Sequence, residues 1–276
     1  MRWKGLRLSV TLLTVIPLRG GAPDSAQRAT GTSATPVPAP LAPATVAAAM
    51  AWAPAVGLLL GIIAAAVLVV ADHPLGTGSL TGAVLAVGTL ALLSRGLHLD
   101  GLADLADGLG SGKPAPAALD IMRRSDIGPF GIVTLVLTLV IQIGALAHAE
   151  AAGGVRGPVA LIVAAATSRL ALTWACRRGV AAARPSGLGA MVAGTVRPAV
   201  AAGITLAVLA AAVSVVRTGF TGFTLPLAVV AGLAAAFVLQ RHAVRRLGGI
   251  TGDVLGALIE TAATVTLVVA AMGPPA

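Results

Sequence analysis

The chain has 276 residues, of which 57% are hydrophobic and only 11% charged, and its mean hydropathy is +0.95. Soluble domains carry roughly a quarter charged residues, so this composition excludes an ordinary water-soluble domain and makes lipid the solvent for most of the chain. The net charge of +9 comes almost wholly from arginine, while tyrosine is absent and aromatics are 3%, too few to stack bases; no nucleic-acid partner is expected.

In chain order, the apolar piece Leu8 to Leu18 follows Arg2, Lys4 and Arg7 and is too short to span. It reads as a signal peptide or as a helix lying on or dipping into the membrane. The loop charges discussed below favour the second, an interfacial or re-entrant segment over residues 1–19. Residues 20–44, with Pro36, Pro38, Pro40 and Pro43 closely spaced, have the composition of a linker. Residues 45–276 are expected to form a single transmembrane domain. Its apolar runs fall at about 45–71, 79–94, 128–149, 158–176, 198–216, 222–240 and 254–272, the second being the shortest. The expected fold is all-α, a polytopic bundle of about seven spans in contact with membrane lipids, with alanine and glycine letting helices approach closely. Cys176 is the single cysteine, so no disulfide within the chain is possible.

Basic residues alternate between the connections. One set holds Arg2, Lys4, Arg7, Arg19 and Arg28; Arg95, Lys113, Arg123 and Arg124; Arg177, Arg178, Arg184 and Arg197; and Arg241, Arg245 and Arg246. The opposite set holds Arg156 and Arg217. Basic residues accumulate on the cytoplasmic side, which places the N-terminus inside and the C-terminus outside a bacterial cytoplasmic membrane.

Of ten acidic residues, Asp100, Asp104, Asp107, Asp120 and Asp126 share one cytoplasmic connection. On a helix, Asp100, Asp104 and Asp107 fall within about a 60° arc, where like charges repel unless a hard divalent cation bridges them; otherwise the segment is a solvated acidic turn. Asp253 and Glu260 share a face at the start of the last run, with Glu260 about 10 Å deeper along the axis. An acid at that depth marks a functional site or a buried partner for an arginine such as Arg169. Before them, residues 248–252 read Gly-Gly-Ile-Thr-Gly, an entry to a helix whose amides could hold a phosphate. Arg123, Arg124 and Arg241, Arg245, Arg246 flank the two acidic clusters, an arrangement suited to phosphoryl transfer as well as to lipid headgroups. On a regular helix His98 points about 160° away from Asp100. His73, His148 and His242 receive no role.

These residues carry a resemblance. Residues 96–108, Gly-Leu-His-Leu-Asp-Gly-Leu-Ala-Asp-Leu-Ala-Asp-Gly, resemble the signature of the adenosylcobinamide-GDP ribazoletransferase (cobalamin synthase) family. Residues 121–128 (Ile-Met-Arg-Arg-Ser-Asp-Ile-Gly), Ser168-Arg169-Leu170, Arg184-Pro185-Ser186-Gly187-Leu188-Gly189 and residues 247–257 resemble its later motifs in order, and Leu13 to Pro17 its first. The sequence departs from the pattern in three places. Arg124-Ser125-Asp126 exchanges acid and base about the serine, Ala263 replaces a frequent second glutamate, and Val15 replaces a frequent arginine.

The resemblance implies transfer of α-ribazole, or its 5′-phosphate, onto adenosylcobinamide-GDP with release of GMP and a requirement for Mg2+. It implies Asp100, Asp104 and Asp107 as metal ligands and catalytic groups, with His98 or a carboxylate as proton acceptor. Arg123, Arg124, Ser125, Arg184, Gly249, Thr251, Gly252, Asp253 and Glu260 are the expected substrate-binding residues. Two alternatives stay open. Asp104 to Gly108 matches the opening of the CDP-alcohol phosphotransferase signature, although its later half is missing. A secondary transporter would use intramembrane acids, of which Glu260 alone is deep.

Overall fold

A computed structural model of the chain describes residues 2–15, 41–215 and 223–272. Among these residues the structure is helical, in the order α1 (Arg2–Leu13), α2 (Pro43–Asp72), α3 (Ser79–Leu93), α4 (Leu97–Gly110), α5 (Ala115–Ile121), α6 (Pro129–Ala151), α7 (Arg156–Ala175), α8 (Leu188–Val192), α9 (Pro198–Ser214), α10 (Thr224–Leu247) and α11 (Gly252–Ala271). The expected linker falls mostly on residues 16–40, outside the described residues, and its last positions, Pro43 and Ala44, already belong to α2.

Each expected apolar run is a helix: α2, α3, α6, α7, α9, α10 and α11. Proline stands in the first turn of α2, α6 and α9, where its fixed φ suits helix entry and its missing N–H costs nothing. Five of the seven, α2, α6, α7, α10 and α11, are long and apolar enough to cross a membrane, so the chain is a multi-pass membrane protein. The other two are shorter, with 15 residues in α3 and 17 in α9. At 1.5 Å per residue, α3 covers about 22 Å of a hydrocarbon core about 30 Å thick.

Packing follows the small residues. α7 lies at the centre, with 72% of its most apolar stretch buried, against 17% for α6. Gly57 and Gly61 of α2, one turn apart, face the backbone of α7 at Ala165 and Ile162, and a Cβ at Gly61 would stand 2.9 Å from Ile162 Cα. This is the close approach by which small residues bind membrane helices together. α6 turns Ile132, Val133, Val136, Leu137 and Val140 outward, an exposed apolar stripe suited to lipid. α1 packs along α2 through Gly5 and Ala48, and the chain beyond it is tied to α3 where Val15 N donates to Leu93 O at 2.8 Å.

The break after α3 positions the site. Arg95 and Gly96 both take positive φ, at 59° and 68°, and Gly96 N donates back to Ala91 O at 2.8 Å. This left-handed stop ends α3, and α4 leaves at 87° to it, lying across the end of the bundle against α11. The connection from α7 to α9 lies on the same end. It is pinned by a bridge between Ala182 and Ile250, with Ile250 N donating to Ala181 O and Ala183 N to Ile250 O.

Candidate active site

α4 and α11 cross with almost no space between their backbones. A Cβ on Gly101 would stand 2.8 Å from Asp253 Cα, and one on Gly256 3.1 Å from His98 Cα. Both glycines therefore serve contact; Gly101, a helix breaker by propensity, lies inside α4. The crossing brings Asp100 and Asp104 of α4 beside Asp253 at the head of α11. Burial first, then the charges of Asp100, Asp253 and Asp107, raise the Asp104 carboxyl to about 7, against a smaller opposing effect of Arg184. Asp100 is exposed, while Asp104 and Asp253 are half-buried.

The expected stripe of three aspartates exists, yet its members differ in environment. Asp107 turns both carboxylate oxygens onto the head of α6: Gly128 N donates to Oδ2 at 2.7 Å and Gly131 N to Oδ1 at 2.9 Å. It thus caps α6 across sequence, favoured by the positive end of the helix dipole.

Asp253 is held by the loop before it. Thr251 caps α11, accepting from Val254 N at 3.2 Å, and its hydroxyl donates to Asp253 Oδ2 at 3.2 Å. Arg184 places Nη1 3.6 Å from the same oxygen and donates from Nη2 to Leu119 O at 2.7 Å. Its Nε is buried and, among the described residues, has no hydrogen-bond partner. A cavity of about 170 Å³ opens between α1, α4, α8 and α11. Asp100, His98, Gly252 and Asp253 form its polar side and Leu12, Met50, Leu172 and Leu188 part of its apolar side.

Other expected site residues are placed differently. Gly249 is buried against the backbone of residues 181–183, so it packs rather than meets a substrate. The amides of Gly248 and Ile250 are already taken by Val244 O and Ala181 O, while Gly252, at the head of α11, lines the cavity. Arg123, Arg124 and Ser125 are exposed on the α5–α6 connection, just before the Gly128 amide that holds Asp107. Arg123 makes one exposed pair with Asp120, at 4.0 Å.

His98 and Glu260 belong to a second, internal group. His98 is buried, with Nδ1 3.4 Å from Arg169 Nη2 and 4.0 Å from Glu260 Oε1. Burial, then the Arg169 charge, lowers its pKa well below the ordinary imidazole value, so it stays neutral and resists taking up a proton. Gln142 donates to Glu260 Oε2 and to Thr264 Oγ1, both at 2.9 Å. Glu260 and Asp253 share a helix yet line separate cavities, Glu260 with Arg169 and Asp253 with Asp100. Sequence reasoning missed Gln142; its signal was a single amide within the apolar α6.

Comparison with known proteins agrees with this site. The family described as cobalamin-5-phosphate synthase matches residues 5–271. A protein of Frankia casuarinae named adenosylcobinamide-GDP ribazoletransferase is 44% identical over 98% of this chain and 95% of its own. Relatives of the same name from Nocardioides sp. (39% identical; 79% of this chain, 84% of its own) and Corynebacterium efficiens (34%; 98% and 91%) also match. No solved structure matches the chain. With the family match spanning the spans, the crossing and the carboxylate group alike, the chain belongs to the cobalamin-5-phosphate synthase family.

Proposed function

We propose that this chain transfers α-ribazole, or its 5′-phosphate, onto adenosylcobinamide-GDP, forming adenosylcobalamin or its 5′-phosphate and releasing GMP. The names of its relatives support the donor and the acceptor class. The observation that carries the reading is the gathering of Asp100, Asp104 and Asp253 beside Arg184, with Asp100 and Asp253 lining one cavity.

The donor set fits magnesium. It offers hard carboxylate oxygens, and the repulsion that raises Asp104 is what a divalent cation relieves. Asp100 and Asp104 would hold the ion, with Asp107 adding the lone pairs its two amide bonds leave free. Bound there, the ion would neutralise pyrophosphate charge during phosphoryl transfer. Among the described residues these aspartates do not form a group of ligand atoms all within 4.8 Å of one another, so substrate phosphates are expected to complete the site.

The acceptor hydroxyl attacks the phosphorus that bears the cobinamide arm, and the bond to the GMP oxygen breaks. Its proton passes to a carboxylate oxygen of the Asp100–Asp104–Asp253 group, because burial, and then the Arg169 charge, disfavour His98 as imidazolium. Arg184, fixed by Asp253 and Leu119 O, lends its positive charge to the substrate phosphates, and the exposed Arg123 and Arg124 meet the nucleotide. Glu260 and His98 position α4 against α11. The arginine bias of the loops supports a site facing the cytoplasm of a bacterial cytoplasmic membrane.

Purified protein with adenosylcobinamide-GDP, α-ribazole and magnesium is expected to yield a cobalamin and GMP in equal amounts by chromatography. Absence of both, from protein that remains folded, would refute the reading.

A further inference from the structure

A second set of metal-ligating side chains lies at the other end of the bundle. Asp72 is the last residue of α2, His73 follows it, and Glu150 is next to last in α6. Met50, on the active-site cavity, is 22 positions before Asp72, so the two are about 33 Å apart along α2. The first turn of α6 holds Asp107, and its last turn carries Glu150.

Asp72, His73 and Glu150 each present one ligand atom, and the three atoms lie within 4.8 Å of one another. His73 Nε2 is 3.8 Å from Glu150 Oε1. The Glu150 side chain is only 2% exposed, and its other oxygen, Oε2, is buried with no hydrogen-bond partner among the described residues. Gly157, in the first turn of α7, makes the room for that oxygen, since any Cβ at 157 would occupy its place. A buried carboxylate with an unsatisfied oxygen is expensive, and native folds retain such groups for a ligand or a proton. His73, by contrast, is 61% exposed, so the group opens to solvent on one side.

We propose that Asp72, His73 and Glu150 bind a divalent transition-metal ion of the zinc type. One imidazole and two carboxylates suit zinc, whereas magnesium prefers oxygen alone. Three protein ligands with an exposed side leave a further position for water. The ion links the end of α2 directly to the end of α6, helices otherwise joined through α3 and α7, which pack on both. Its role is therefore a clip between helix ends, remote from the phosphoryl-transfer site.

The test uses untagged, full-length protein in detergent, stripped with chelator and titrated with Zn2+ in millimolar Mg2+, so that the active-site carboxylates are already occupied. Wild-type protein is expected to bind one equivalent and to gain thermal stability. His73→Ala and Glu150→Gln are expected to weaken binding by at least about tenfold and lose the thermal gain, with GMP release per folded molecule unchanged. Asp104→Asn is expected to bind zinc like wild type. His73 is exposed, so its variant keeps the fold even where Glu150→Gln does not. Equal zinc affinity in wild type and His73→Ala, or no zinc bound by wild type at 100-fold excess, overturns the proposal. Either result leaves the active-site reading intact, because zinc binding and thermal stability are both read without turnover.

Discussion

Gly101 of α4 rests on the backbone of Asp253 at the head of α11, where a Cβ would stand 2.8 Å from Asp253 Cα and 2.9 Å from its carbonyl oxygen. Neither neighbour is a flexible side chain that could give way. Gly101→Ala is expected to push the helices apart, at a cost of about 1–3 kcal/mol as for other overpacked contacts. Because the same contact carries Asp100 and Asp104 to Asp253, activity should fall more steeply than thermal stability. Normal turnover with a lowered melting temperature would show that the crossing is structural only.

Asp107 and Asp104 are expected to separate in their effects. Asparagine at 107 retains one acceptor but turns an NH2 group toward the second α6 amide, so Asp107→Asn should lose about 0.5–2 kcal/mol of stability together with activity. Asp104 makes no such bond, and Asp104→Asn should lower GMP release by about a hundredfold or more with the melting temperature unchanged or raised. Thermal unfolding in detergent beside initial rates distinguishes the two. Identical behaviour of both variants would contradict the assignment of a capping role to Asp107.

The pH dependence of stability follows from Asp104. Its carboxyl is raised from 3.8 to about 7 in the folded protein, so the folded state holds a proton that the unfolded state has already released. That contribution to stability is fully present below about pH 4 and is lost as pH rises through 7. Metal-free protein should therefore melt at a lower temperature at pH 8 than at pH 6, and magnesium should suppress the difference. Asp104→Asn should flatten the metal-free profile; an unchanged slope in that variant would assign the effect to another group.

Glu260 is expected to act through Arg169. The guanidinium of Arg169 is buried, donates to Ser168 Oγ at 3.0 Å and leaves Nε without a hydrogen-bond partner among the described residues. Glu260→Gln preserves the acceptor for Gln142 but removes the balancing negative charge, and uncompensated buried charge costs about 3–5 kcal/mol. Low yield of folded protein with near-normal activity per folded molecule is the expected outcome. A stable variant with lost turnover would instead place Glu260 among the substrate contacts.

Much of this architecture was legible in sequence because lipid imposes a simple demand: long apolar runs must satisfy their backbone within a helix. All the runs from Pro43 to Ala271 obeyed it. The acidic stripe was legible too, since helical geometry alone aligns Asp100, Asp104 and Asp107. Helical wheels carry no information about partners distant in sequence. Nothing near Asp107 announced that Gly128 and Gly131 would take its oxygens, and nothing near Gly101 or Gly249 announced that both are contact points between elements. The α3–α4 stop depends on Arg95 adopting positive φ, a conformation its side chain disfavours and composition does not signal. His73 likewise looked idle until the fold brought Glu150 beside it.

The central claim is that Asp100 and Asp104 form one metal-dependent centre with Asp253 and Arg184. Its most direct test is a magnesium titration of initial GMP release for wild type, Asp100→Asn, Asp104→Asn and the double variant. Each single change is expected to lower the maximal rate by about a hundredfold or more and to raise the magnesium concentration for half-maximal rate. The double variant should be little worse than the poorer single one, because residues acting as a unit lose their effect together. Rates near normal in both single variants, with magnesium curves superimposable on wild type, would contradict the claim.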